Sequence, residues 1–197
     1  TLPTTVKDLY ITGDSSSYGA LVTSANLGLP TPTPGTVLHF ALTTSAIVTN
    51  WFKAPLPTTC PVIVEPGSQD PFLVGLNTTS LYSLILGSSI TLPAGINKVR
   101  SLKRHKSILE TSSSTNARLT ISVATTFSSG IQGASLGGAF GVTVGDNSEI
   151  VDPVNITGYT VSPNKKLEII GSLSSVVFPV STANNLGSGS KFSAIQR

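Results

Sequence analysis

Alternation of apolar and hydroxyl-bearing residues dominates this chain, and it is clearest in "ARLTISVATTFS" at 117–128. Leu119, Ile121, Val123, Thr125 and Phe127 fall on one side of an extended segment, with Thr120, Ser122, Ala124, Thr126 and Ser128 on the other. That period of two marks a half-buried strand. "TVLHFALTTSAIV" repeats it, setting Leu38, Phe40 and Leu42 opposite Val37, His39 and Ala41. "VKDLYI", "CPVIVE", "PFLVGL", "SLYSLILGSSI", "FGVTV", "VNITGYTV" and "KLEIIGSLSSVVFPV" add strands bounded by Gly, Pro, Asn or Asp, residues that close turns. About eight to ten strands without intervening helical patterns predict an all-β fold, an antiparallel sandwich or a barrel rather than βαβ units. No repeat stands out at solenoid or propeller periods.

The connections carry their own signals. "GLPTPTPG" at 28–35 reads as an extended loop, because alternating prolines hold the backbone open and remove ladder donors. Serine runs at 15–17 and 112–114 read as loops, and 184–197 as a flexible C-terminal arm. At most one or two short helices are expected. The one candidate lies at 98–109, where Val99, Leu102 and Leu109 share a helical side. At 197 residues the expectation is a single domain spanning 1–197.

Composition shifts the picture toward association. Only 11% of residues are charged, against roughly 25% in ordinary domains, and Ser and Thr supply roughly a quarter of the chain. A weakly charged, hydroxyl-rich surface lacks the repulsion that keeps copies apart. No apolar run approaches the length of a membrane-spanning helix. A start at Thr1 without a leader is the form of a processed or trimmed product. The single cysteine, Cys60, excludes an internal disulfide framework and reads as a small core residue.

Charge is also unevenly placed. "KVRSLKRHKSI" at 98–108 holds Lys98, Arg100, Lys103, Arg104 and Lys106, five of the twelve basic residues, and leaves seven against nine acids elsewhere. The run has no aromatic to stack on a base, so it suits sequence-independent contact with nucleic-acid phosphates, binding of an acidic glycan or lipid surface, or a basic loop that is solvated or pairs with acids of a neighbouring chain.

Motifs for catalysis and metal binding are thin. "GASLG" at 133–137 matches a nucleophile elbow around Ser135, but a glycine-rich strand pattern follows it and both histidines lie upstream. His39 sits mid-strand and reads as a structural imidazole, while cations surround His105 and disfavour its taking a proton. The acids are scattered, and His and Cys are too few for zinc. Asp146, Asn147, Glu149 and Asp152 offer oxygen ligands for calcium, without EF-hand spacing, beside the simpler reading of a solvated acidic turn. No other cofactor is implied, and the chain is not expected to be an enzyme. Asn77 and Asn155 stand in glycosylation sequons.

The strand series ending in "ARLTISVATTFS", "FGVTV" and "KLEIIGSLSSVVFPV", together with "KVRSLKRHK", resembles in general character the coat proteins of small icosahedral viruses. The resemblance implies an eight-stranded jelly roll that tiles a shell in a virion, with copies of itself and other capsid subunits as partners and the basic run against packaged nucleic acid. The start "TLPTTVKDLY" departs from the basic arm many such coats carry. A carbohydrate- or receptor-binding sandwich, such as a spike, fibre head or adhesin, is the alternative. Trp51 beside Phe52 is the one aromatic pair to test for it, although a core or interface anchor suits Trp51 better.

Overall fold

The computed structural model describes residues 5–13, 23–43, 47–69, 72–107, 117–121, 126–127, 140–144, 147–151, 159–171 and 185–196. Within them the strands run β1 (Asp8–Gly13), β2 (Thr23–Leu29), β3 (Val37–Leu42), β4 (Ile47–Phe52), β5 (Val62–Val64), β6 (Ser80–Leu81), β7 (Leu84–Leu86), β8 (Ile90–Leu92) and β9 (Lys98–Val99). They continue as β10 (Leu102–Arg104), β11 (Ala117–Ile121), β12 (Thr126–Phe127), β13 (Phe140–Val144), β14 (Ser148–Val151), β15 (Tyr159–Val161), β16 (Lys166–Gly171), β17 (Asn185–Leu186) and β18 (Lys191–Gln196). A short 3₁₀ helix, Phe72–Leu76, lies between β5 and β6.

Every pairing among these strands is parallel. They stack into columns in the orders β1-β3-β5-β7-β10, β17-β15-β13-β11-β8 and β18-β16-β14-β12-β9-β6, with β2-β4 as a shorter fourth. The chain leaves a column, passes through one or two of the others and returns one layer on, as a β-solenoid does. Leu38 pairs with Val62 and Val62 with Leu84, returns of 24 and 22 residues. Elsewhere the return shortens to 17, from Val142 to Tyr159, or lengthens to 29, from Asp8 to Val37.

This overturns the antiparallel sandwich and the jelly roll. An alternating strand shows the same period of two whether its neighbour runs parallel or antiparallel, so the pattern identified strands and not their partners. The unequal returns also hid the repeat, because no single spacing brings the segments into register. Several segments expected as one strand turn corners between columns. "TVLHFALTTSAIV" divides into β3 and β4, "SLYSLILGSSI" into β6, β7 and β8, and "ARLTISVATTFS" contains β11 and β12. Residues 185–196, in the expected C-terminal arm, form β17 and β18 against β15 and β16.

Stacked rows of identical facing hold the coils together. Leu38, Val62, Leu84 and Leu102 form one inward row, and Phe40, Val64 and Leu86 another, all fully buried. Each burial stabilises by roughly 2 kcal/mol, and no coil can achieve it without its neighbours. Trp51 is wholly buried and meets Phe40 edge-on at 5.5 Å between ring centroids. "PFLVGL", expected as a strand, is the 3₁₀ helix: three residues per turn place Leu73 and Leu76 on the same, buried side. Its Gly75 lies where a Cβ would fall 2.3 Å from the Val48 carbonyl oxygen.

Hydroxyl groups close the corners. Ser68 Oγ donates to the Phe40 carbonyl at 2.7 Å, Ser88 Oγ donates to the Glu65 carbonyl at 3.1 Å, and Thr36 Oγ1 donates to the Val6 carbonyl at 3.3 Å. Among the described residues no helix is long and apolar enough to cross a membrane.

Candidate functional site

Parallel register aligns outward side chains from successive coils just as it aligns the core. On the first column it produces the row Tyr10, His39, Ile63, Ile85, Lys103. His105 follows β10 directly, and its backbone N–H donates to the Leu86 carbonyl at 2.8 Å. Glu65 follows β5, and its N–H donates to the Phe40 carbonyl at 2.8 Å. Residues as far apart in the chain as Tyr10 and His105 thereby share one patch of surface.

The ionisable groups of this patch are joined in a chain. The Tyr10 ring stacks on the His39 ring, centroids 4.0 Å apart and planes 12° from parallel. His39 Nε2 lies 2.8 Å from Asp8 Oδ1, and Nδ1 lies 2.7 Å from Glu65 Oε1. Both ring nitrogens of His39 thus face a carboxylate oxygen. The second Glu65 oxygen, Oε2, lies 3.0 Å from His105 Nε2. The Ser107 backbone N–H donates to His105 Nδ1 at 3.1 Å, so Nδ1 is the acceptor and the ring proton sits on Nε2, facing Glu65. Ser107 Oγ lies 2.8 Å from the same Nδ1. Asp8, His39, Glu65, His105 and Ser107 thus form a continuous hydrogen-bonded line across the coils.

Tyr10, His39, Glu65 and His105 line a groove of about 540 Å³ together with Ile63, Ile85, Lys103 and Lys106. Its floor is apolar, its wall aromatic and its rim cationic. Such convergence of a few polar groups on a partly apolar cleft is the usual form of a ligand site. Tyr10 is 59% exposed, an aromatic face available to a ligand.

The basic run does not form one patch. Val99 and Leu102 turn inward and are fully buried, while Lys98 and Arg100 lie on one side of the corner and Lys103 and Lys106 on another. Where the short helix was expected, residues 98–99 and 102–104 form β9 and β10, and Lys106 and Ser107 are helical. Lys98 and Arg100 line a second groove of about 290 Å³ with Tyr82, and the Arg100 guanidinium sits 4.9 Å from the Tyr82 ring centroid. Arg104 lies in β10 opposite Leu86.

Of the expected calcium ligands, Asn147 Oδ1 accepts from the Lys166 backbone N–H at 2.9 Å, and Glu149 lies in β14. Asp146 and Asp152 lie outside the described residues, as do Ser135 and Asn155. Among the described residues no group of three or more His, Cys, Asp or Glu is placed to hold a metal ion. Cys60 is buried, and its thiol donates to the Thr33 carbonyl at 3.4 Å. Asn77 is exposed, with φ at 50°.

Sequence reasoning weighed His39 and His105 singly and passed over Asp8, Tyr10, Glu65 and Ser107. One signal was present: outward positions two apart in, or just after, strands that share the first column, Asp8 and Tyr10, then His39, then Ile63 and Glu65, then Lys103 and His105. It becomes readable only once the strands are aligned in parallel. No protein family, curated protein or solved structure matches this chain. Fold and site define its class by themselves: a β-solenoid with an ionisable groove on its outer face.

Proposed function

We propose that the protein is a binding module of the spike, fibre or adhesin kind, and that the groove on its first column takes a carbohydrate chain, with acidic sugars preferred. The observation that carries this reading is the groove itself, about 540 Å³, with Tyr10, His39, Glu65 and His105 converging on it and two lysines at its rim. A sugar presents an apolar ring face and a fringe of hydroxyls. Tyr10 supplies a platform for the first, and the carboxylate and imidazoles supply partners for the second. Lys103 and Lys106 favour a carboxylated or sulfated unit. Trp51 is removed from consideration by its burial in the core.

Titration calorimetry of the full chain with neutral and carboxylated oligosaccharides tests the reading. The acidic ligand is expected to bind more tightly, and Tyr10→Ala to weaken it by about tenfold, close to 1.4 kcal/mol. Unchanged affinity in Tyr10→Ala would remove the groove as the site.

Assembly into a virion shell with nucleic acid inside is a second reading. It is favoured by the low charge and by β1 and β18, each of which pairs on one side only among the described strands. Such edges invite a further copy. With the cations divided between two faces, packaged nucleic acid would meet Lys98 and Arg100 separately from Lys103 and Lys106. Light scattering with absorbance at nucleic-acid and protein wavelengths distinguishes a loaded particle from a free chain.

A further inference from the structure

The groove that holds Tyr82, Lys98 and Arg100 is one end of a longer trough. Thr58 lines both that groove of about 290 Å³ and a neighbouring pocket of about 450 Å³. Parallel pairing explains the continuity. β6 and β9 lie side by side with Ser80 opposite Lys98, and the chain enters each strand from the pocket and runs on into the groove. The Asn97 and Lys98 backbone N–H groups donate to the Thr79 carbonyl at 3.0 and 3.3 Å, and the Arg100 N–H donates to the Leu81 carbonyl at 2.9 Å. The segment that carries Thr58 is tied to the 3₁₀ helix, because the Leu56 N–H donates to the Leu76 carbonyl at 3.3 Å.

The two ends of the trough differ in chemistry. Pro55, Leu56, Leu73, Val74, Pro93 and Ile96 line the pocket, and Val74 is 52% exposed. At the other end stand Lys98 and Arg100; among the described residues no Asp or Glu lines either part. The Arg100 guanidinium lies 4.9 Å from the Tyr82 ring centroid, a contact that holds its planar fork in place. Thr58, Thr59 and Ser80 add hydroxyl groups beside it. An anion therefore meets cations and donors here without the carboxylate that Glu65 places in the Tyr10 groove.

We infer that this trough binds a free alkyl carboxylate, with its chain in the pocket and its headgroup at Arg100 and Lys98. A carboxylate matches the guanidinium fork, and an apolar chain takes out of water the surface that Val74 and its neighbours present. From Ile96 to Arg100 is up to about 13 Å of extended backbone at about 3.3 Å per residue, the length of an alkyl carboxylate of roughly eight to ten carbons. The ligand is taken singly and not from a bilayer, because the pocket reaches down to Leu56, Leu73 and Ile96, which are almost fully buried, and a flat membrane surface does not follow it there. The trough shares no lining residue with the Tyr10 groove, so this inference stands apart from the carbohydrate reading.

Titration calorimetry of the full chain with hexanoate, octanoate and decanoate below their micelle concentrations tests it, with 1-octanol as the uncharged match. Affinity is expected to rise about threefold per added methylene, and octanoate to bind at least about tenfold more tightly than octanol. Arg100→Gln should weaken octanoate about tenfold and leave octanol unchanged, whereas Val74→Asp should weaken both. Both side chains are exposed, so the thermal midpoint should not move. Amide resonances of Val74, Ile96 and Arg100 should shift on adding decanoate, and Tyr10→Ala should leave octanoate binding as it is. Equal affinity for octanoate and octanol, indifference to chain length, or octanoate binding that survives Arg100→Gln and Val74→Asp together overturns the inference. The same holds if decanoate gives neither heat nor amide shifts, or if the chain sediments with phosphatidylglycerol vesicles and binds no free octanoate, which would make the trough a membrane contact.

Discussion

Hydroxyl and thiol groups show how single residues are used in this molecule. Ser68, Ser88 and Thr36 each donate from a side chain to a carbonyl of another segment, so part of the unusual Ser and Thr content satisfies backbone groups at corners where the ladder stops. Cys60 is held differently. Burial pushes its thiol above the ordinary range, against the smaller opposing effect of hydrogen bonds from the Gly35 and Thr36 backbone. The folded state therefore keeps the proton to higher pH, and this contribution to stability, complete below the ordinary thiol range, declines as pH rises through it. Alkylation of Cys60 at mildly alkaline pH is expected to be slow in the folded chain and fast in urea; equal rates would contradict its burial. Gly75 carries a second prediction. Gly75→Ala would press a methyl group on the Val48 carbonyl and the Trp51 ring, and should cost about 2 to 3 kcal/mol in a urea titration.

Each strand contributes little alone and much in a column. Leu84 is fully buried between Val62 and Leu102, whereas its neighbour Ile85 faces outward between Ile63 and Lys103. Leu84→Ala is expected to cost about 3 kcal/mol, and Ile85→Ser under about 1. Comparable losses at the two positions would show that the facing of β7 is wrong. His39 and Glu65 show what was legible in the pattern at this scale. The strand of His39 and the one that ends just before Glu65 were identified from their sequence pattern, and His39 was set on the face opposite Leu38, Phe40 and Leu42. That His39 meets Glu65 and Asp8 did not follow, because the pairing depends on loops of different length returning the chain to the same register.

At the scale of the molecule, the described strands form a nearest-neighbour stack. In such a stack stability comes from interfaces between successive coils, so opening begins at strands with one neighbour and spreads inward. Amide hydrogen exchange should be slowest in β3, β5 and β7, which pair on both sides, and faster in β1 and β18, each at a column end among the described strands. Uniform protection across β1, β3, β5 and β7 would point to one all-or-none unit. The groove spans β1 to β10 of the first column, and so depends on several coils being in place together.

The sequence by itself determined the strand-rich character of the described residues, most of their strands and the two faces of the strand that carries Leu38, His39 and Phe40, because side-chain alternation is local to a strand. It also located the cations, both histidines and the buried Trp51 and Cys60. Only the tertiary structure decided that the strands run parallel, that "PFLVGL" tightens into a helix, that the basic run divides at a corner, and that Asp8, His39, Glu65, His105 and Ser107 meet. Each of these is a matter of which coil lies beside which. That choice is made by the summed burial of whole rows such as Leu38, Val62, Leu84 and Leu102, a free energy no segment possesses until its neighbours have folded against it.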